Sequence, residues 1–269
     1  MSLKIINKKP PKYPFLFSIC TIVSDMDEYH VMKDSFLTNG FEEENCEYII
    51  ADNTHKNEFD AYQAISSFLK ISTGEYLIIA HQDVRIIDNK QKLISCLEEL
   101  NKIDPNWAIC GNSGGLGYHQ TILHITHINE TFIPKENLPH PIKSLDENFL
   151  VIKKSTNLTI SPNLKGFHLY GTDLCIIAKF LGYSSYVIPF MLLHLSEGNI
   201  KSLELYKNEF IEQYGAKMKL GFIQTTCTRF YLSNSKIKNR IFNSRFCFFI
   251  IKQFIRYPYL VKCKTKLFG

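Results

Sequence analysis

The sequence predicts an α/β fold, a mostly parallel sheet with helices on its faces. Three observations carry that expectation. Phe15–Val23, Cys46–Ala51, Glu75–Ala80 and Trp107–Gly111 are short, predominantly apolar runs, the pattern of strands buried on both faces. Segments of helical periodicity separate them, and strand–helix alternation means βαβ units. Several of these runs pass directly into polar residues, at the strand ends beyond which an open α/β sheet binds its ligands.

Each element follows from local chemistry. Lys4, Lys8, Lys9 and Lys12 precede the first run and superficially imitate a leader peptide. The acidic Ser24-Asp-Met-Asp-Glu28 follows in place of a small-residue cleavage site, so the run reads as a strand. Tyr29–Leu37 supplies the first helix. Phe59–Ile71 sets Tyr62, Ile65, Phe68 and Leu69 on one face, and Lys90–Ile103 does the same with Leu93, Ile94, Leu97 and Leu100. Asp88 and Gln91 are the expected capping box of the latter. Residues 111–164 are irregular and rich in Gly, His, Pro and Asn; so long a segment inside a compact domain is expected to form a site. Thr172–Leu181 reads as a short helix with Thr172 as its cap and Gly182 as its stop. Ser185–Leu193 reads as one strand ending at His194.

Composition narrows the class. A chain of 269 residues, 45% hydrophobic, buries a full core and is not disordered. Its eight cysteines include no C-x-x-C pair and several lie in apolar runs, which suits reduced core residues in a cytosolic protein. No window approaches the roughly 18 to 20 apolar residues of a membrane span. The net charge of +5 is divided unevenly: twelve Lys and Arg and no acidic residue follow Glu212, while the preceding body carries −7.

Two units are therefore expected, a domain over 1–232 and a basic, aromatic segment over 233–269. Lys238, Arg245 and Lys252 recur every seven residues with Arg256 four further on, and Phe242, Phe246, Phe249 and Ile250 supply apolar bulk elsewhere. Such a helix lies on an anionic membrane surface or packs on the domain with a solvated basic face. The acidic body argues against nucleic acid. A cytoplasmic protein, peripheral on the inner face of the cytoplasmic membrane, is the expectation.

The chemistry-bearing residues cluster at strand ends. His81-Gln-Asp83 follows the apolar Tyr76–Ala80, and a His and a carboxylate one residue apart suit a divalent cation, itself suited to a diphosphate. Asp52, in Ala51-Asp-Asn53, either initiates a turn or accepts a hydrogen bond from a nucleobase imide or ribose hydroxyl. Asp173 either complements a helix dipole or serves as a general base. His168 reads as a packed histidine, with ligand and donor roles open. His194, after another apolar run, is a third metal ligand or a phosphate contact.

Taken in order, these segments resemble the GT-A glycosyltransferases, specifically family 2-like bacterial enzymes of the subgroup related to a streptomycin-biosynthesis protein. The resemblance covers about Phe15 to Gly198. It rests on Gly74-Glu-Tyr76, His81-Gln-Asp-Val84, Ser144-Leu-Asp-Glu-Asn-Phe-Leu-Val-Ile-Lys153, Gly171-Thr-Asp173, Gly182-Tyr183 and His194-Leu-Ser-Glu-Gly198.

It implies a GT-A-type sheet flanked by helices and an inverting transfer of a sugar from a nucleotide-diphosphate donor to a glycan or lipid-linked acceptor, in bacterial surface polysaccharide synthesis. A Mn or Mg ion is implied, with Asp83 and His194 as ligands. Val23, Asp52, His81, Gln82 and Asp83 would hold the nucleotide-sugar, Asp146 and His168 would face the acceptor, and Asp173 would be the base. Two departures stand out: the usual D-x-D is His81-x-Asp83, and the acidic pair before the base is reduced to Thr172-Asp173. They leave a non-enzyme alternative, an inactive subunit that binds a sugar nucleotide or glycan. A nucleotidyltransferase is set aside, because Ser24–Glu28 is acidic and glycine-free where that class needs a basic, Gly-rich loop.

Overall fold

A computed structural model describes residues 12–196, 202–215, 221–233 and 235–256. In chain order the first half comprises β1 (Phe15–Val23), α1 (Met26–Thr38), β2 (Cys46–Asp52), α2 (Ala61–Ile71), β3 (Gly74–Ala80), β4 (Val84–Ile86), α3 (Lys90–Ile103) and β5 (Trp107–Gly111). Short strands then fill the irregular segment: β6 (Ser113–Gly117), β7 (Gln120–Leu123), β8 (Ile125–His127), β9 (Thr131–Phe132), β10 (His140–Pro141), β11 (Ser144–Leu145) and β12 (Phe149–Lys153). After them come α4 (Tyr170–Phe180), β13 (Ser184–Val187), β14 (Leu192–His194), α5 (Leu203–Gly215), β15 (Gly221–Gln224), β16 (Arg229–Leu232), α6 (Lys236–Phe242) and α7 (Arg245–Arg256).

The main sheet has the order β10-β13-β5-β12-β3-β1-β2. Five of its strands run one way; β12, between β3 and β5, and β10, on the edge, run the other. The fold is thus a mixed α/β architecture with a large, mostly parallel central sheet. Alternation along each strand builds the layers. Phe17 and Ile19 of β1 and Ile78 of β3 face α1 and α3, through Met32, Phe36, Leu93 and Leu97. Cys20, Leu77 and Ile79 face the other way, towards Ile65 and Phe68 of α2 and Leu174 of α4. Both faces are covered, which is why these strands are apolar throughout.

Three local expectations are corrected. Asn89, not Asp88, caps α3 through Lys92 N at 2.9 Å, while Asp88 accepts Met191 N at 2.7 Å. The capping box lies instead at Asp60 and Gln63 on α2. Thr172 caps nothing: α4 starts at Tyr170, and Thr172 is buried within it. The run 185–193 is not one strand. Pro189, which has no N–H for a ladder, separates β13 from β14, and the two belong to different sheets. That break carries His194 out of the main sheet.

Among the described residues no helix is long and apolar enough to cross a membrane. The helices α6 and α7 pack on the β15–β16 hairpin. Asn243 donates to Tyr231 O and accepts from Tyr231 N, both at 2.8 Å, and Phe242 and Phe248 meet Phe222. Lys217, Lys219 and residues 257–269, which carry part of the basic charge, lie outside the described residues, as do Glu197 and Gly198.

Candidate functional site

The site is assembled by register. The β3 strand ends at Ala80, and His81 N donates to Asn148 O at 3.0 Å, tying the turn to the segment that enters β12. The antiparallel pairing of β4 with β14 sets His194 opposite Val84, and Leu195 N donates to Asp83 O at 3.1 Å. Residues 113 positions apart in sequence are thereby brought together: the Ser196 hydroxyl donates to the Asp83 carboxylate.

His81, Asp83 and His194 form a cluster whose ligand atoms all lie within 4.8 Å of one another. His81 Nδ1 is 3.8 Å from Asp83 Oδ1, and His194 Nε2 is 3.4 Å from Asp83 Oδ2. The tautomer of His81 is coupled to its far side. With the hydroxyl proton of Tyr170 directed to Glu147 O at 3.1 Å, His81 Nε2, 2.7 Å from the Tyr170 oxygen, donates to it. Nδ1 is left as a lone pair aimed at a carboxylate. Asp83 Oδ1 is buried without a hydrogen-bond partner, and His194 Nε2, though 3.4 Å from Asp83 Oδ2, makes no well-aligned bond. A cation among these groups would satisfy them, and this donor set fits a divalent metal. Two imidazoles and one carboxylate favour Mn2+ over Mg2+, which prefers oxygen ligands.

The electrostatics agree. Burial opposes ionisation of Asp83, but His194, His81 and Ser196 outweigh it and hold the carboxyl well below its ordinary range. Burial lowers the pKa of His81 despite Asp83, keeping the imidazole neutral as a ligand must be. His194 is the exception: burial would lower it, yet the proximity of Asp83 raises it, favouring a protonated imidazole whose proton a bound metal would displace.

Two cavities meet at the cluster. One, of about 420 Å³, lies beyond the carboxyl ends of β1, β2 and β3 and is lined by Ser24, Asn53, His81, Gln82, Asp83 and Tyr170. The other, of about 490 Å³, is lined by His127, Glu130, Asp146, Asn148, His194 and Thr226. Ser196 lines both.

The expected residues divide accordingly. Gln82 accepts from Ser24 N and Asp25 N at 2.8 and 3.2 Å and donates to Glu28 at 2.9 Å, so it latches β3 to the start of α1. Asp146 lines the second cavity, where its carboxylate accepts from Thr226 and Asn148. Asp52 is exposed at the end of β2; its carboxylate accepts from the Thr54 hydroxyl and Thr54 N at 2.7 and 2.9 Å, which lowers its pKa.

Asp52 lines neither cavity, and three further residues are not brought to the cluster. Val23 is fully buried in the core, and its neighbours Ile22 and Ser24 line the first cavity instead. His168 lies beside Tyr206, with its carbonyl accepting from Tyr62, and lines neither cavity. Asp173 is 0% exposed. Its carboxylate accepts from Ser161 N at 2.8 Å, the Ser161 hydroxyl at 2.6 Å and the Tyr214 hydroxyl, which makes it an internal tie between α4 and α5.

Sequence reading missed Tyr170, Ser196, His127 and Glu147. His127 reaches the site because β8 pairs with β14, setting the His127 and His194 rings 5.7 Å apart. Glu147 sits against α4: a Cβ on Gly171 would stand 3.3 Å from its Cγ. Burial and the charge of Asp146 push its carboxyl up to about 8, although the N–H groups of Gly171, Leu169 and Tyr170 oppose the shift. A carboxylate held by a helix N-terminus is the one sequence signal that could have flagged it, and it needs the fold to be seen.

No protein-family model matches the chain. Among solved structures, Staphylococcus aureus TarS 1–349 in complex with UDP-GlcNAc is similar with a TM-score of 0.47 at 11% identity, over 68% of this chain and 59% of that one. TarS 1–349 gives 0.48 at 10% identity over 76% and 66%, and A197 from STIV gives 0.39 at 14% over 67% and 86%. A protein of Fuscovulum blasticum, named ATP synthase subunits region ORF 6, is 33% identical over 186 residues, spanning 66% of this chain and 75% of that protein. At that identity and coverage, the chain belongs to the family of the Fuscovulum blasticum ATP synthase subunits region ORF 6 protein.

Proposed function

We propose that the protein is an inverting, GT-A-type glycosyltransferase that moves a sugar from a nucleotide-diphosphate donor to a hydroxyl acceptor. One observation carries the reading: two imidazoles and a carboxylate converge where two cavities meet, with Asp83 Oδ1 and His194 Nε2 buried and unsatisfied. The cavity beyond β1, β2 and β3 has the position of a nucleotide site in an open α/β sheet. The second, with Asp146 and Asn148 in its wall, supplies room for an acceptor.

His81, Asp83 and His194 would hold the divalent ion, which would stabilise charge developing on the departing diphosphate. Tyr170 orients His81, and Ser196 orients Asp83. In a single displacement the acceptor oxygen bonds to the anomeric carbon as the bond from that carbon to the diphosphate oxygen breaks. The acceptor proton needs a base. With Asp173 occupied by internal donors, we assign that role to Glu147, which stands between the cavity-lining Asp146 and Asn148 and accepts through its carbonyl from Tyr170, the partner of His81; its raised pKa makes its carboxylate the stronger proton acceptor. A lipid-linked or glycan acceptor in bacterial surface polysaccharide synthesis is the acceptor class we favour.

Thermal-shift measurements with a panel of nucleoside diphosphates, with and without Mn2+, test the reading. At a hundredfold excess over Kd, binding adds about 2.7 kcal/mol to stability, which a melting curve resolves. A shift that needs both Mn2+ and nucleotide is expected, and Asp83→Asn should abolish it together with release of nucleoside diphosphate from a sugar donor. Wild-type turnover in Asp83→Asn would sink the assignment. Binding without turnover in the native chain would select the alternative, an inactive sugar-nucleotide or glycan-binding subunit.

A further inference from the structure

The helices α6 and α7 present a surface that the proposed chemistry does not use. Their inner sides are anchored: Asn239 bonds Ser233, and Phe248 stacks on Tyr118 at 5.9 Å beneath the Arg229 guanidinium. Their outer sides leave Ile237 73%, Ile241 55%, Phe246 73% and Phe249 60% exposed. At 3.6 residues per turn, Ile237 and Ile241 share a face of α6, and Phe246 and Phe249 share a face of α7.

Basic side chains border those apolar faces. Exposed Arg240 and Lys238 fall on either side of the α6 stripe, and exposed Arg245 and Lys252 lie along one side of the α7 stripe. No acidic residue occurs anywhere after Glu212. Large apolar side chains standing out at the centre, with long cationic chains beside them, match one environment in two layers: an anionic headgroup plane over an acyl interior. A second copy of the chain is a poor fit, because apposing two such faces would bring like charges together.

We propose that α6 and α7 form a docking face for an anionic lipid bilayer, with Ile237, Ile241, Phe246 and Phe249 entering the headgroup–acyl boundary and Lys238, Arg240, Arg245 and Lys252 contacting anionic headgroups. The face rides on the β15–β16 hairpin, and that hairpin is tied to the second cavity's wall, since Gln224 O accepts from Ser144 at 2.6 Å and Thr226 bonds Asp146. Docking would therefore set that cavity at a fixed height over the bilayer.

Vesicle co-sedimentation of the full chain tests this independently of any transferase activity. Binding is expected to phosphatidylglycerol–phosphatidylcholine vesicles and not to phosphatidylcholine alone, and to fall as salt is raised. Arg245→Gln and Lys252→Gln should each weaken it about fivefold. Phe246→Ser with Phe249→Ser should weaken it at least about tenfold, with an unchanged melting temperature, because both side chains are exposed. Equal binding to both vesicle types, or wild-type binding by the double Ser variant, would overturn the proposal. A salt-stable dimer abolished by the double Ser variant, with no vesicle binding, would assign the face to self-association instead.

Discussion

Glu147 and Asp173 are both shielded carboxyls, and burial raises the pKa of each, but their surroundings give them different uses. Asp173 spends its oxygens on Ser161 and Tyr214, so Asp173→Asn turns an NH2 donor towards N–H and O–H donors and should cost about 1–3 kcal/mol. Urea denaturation measures it; unchanged stability with lost turnover would return the base role to Asp173. Glu147, with its pKa at about 8, is mostly protonated at neutral pH. If its carboxylate takes the acceptor proton, the transfer rate should climb as pH rises towards about 8 and level off above it. Glu147→Gln should remove that limb and lower the rate by about 10²- to 10⁴-fold. Stability carries the opposite sign. An acid whose folded pKa is raised holds its proton while the unfolded chain loses it, so the native state is penalised progressively from the ordinary glutamate range up to about pH 8. Glu147→Gln should melt higher than wild type at pH 8 and alike below pH ~4. Identical melting profiles at both values would show that the carboxyl is not shifted.

At the scale of elements, the site depends on pairings between strands distant in sequence. Gly115 on β6 is where the C-terminal hairpin docks: a Cβ there would lie 1.5 Å from the Gln224 carbonyl oxygen. Backbone cannot yield as a flexible side chain can, so Gly115→Ala should cost about 1–3 kcal/mol or more and displace β15. Loss of hydrogen-exchange protection confined to 221–256 would locate the damage; uniform loss over the main sheet would contradict a local docking role. The strand β14 shows the complementary lesson. Its three residues read as the end of a longer strand, yet Pro189 detaches them, and the pairing with β4 then delivers His194 to Asp83. A polar strand end was legible; its partner was not, because pairing between short strands is chosen by packing rather than by local pattern.

For the molecule as a whole, local chemistry determined the strand–helix alternation, the apolar strands of a sheet covered on both faces, and the polar residues waiting at the ends of β2, β3 and β14. It also determined the acidic body and the basic C-terminal end, since charge is counted and needs no fold. Those features are encoded in short windows, where periodicity and side-chain type act directly. The tertiary structure alone decided which of the polar residues meet. It placed the ligand atoms of His81, Asp83 and His194 within 4.8 Å of one another, withdrew Asp173 and Val23 into the core, brought Tyr170 and Ser196 against the cluster, and set Glu147 against α4. It also turned the expected tail into two helices anchored through Phe242 and Phe248, with Phe246 and Phe249 left outside. The reason is the same in each case: burial and long-range pairing are properties of the assembled chain, and a carboxylate becomes a ligand, a tie or a base according to the atoms the fold sets against it.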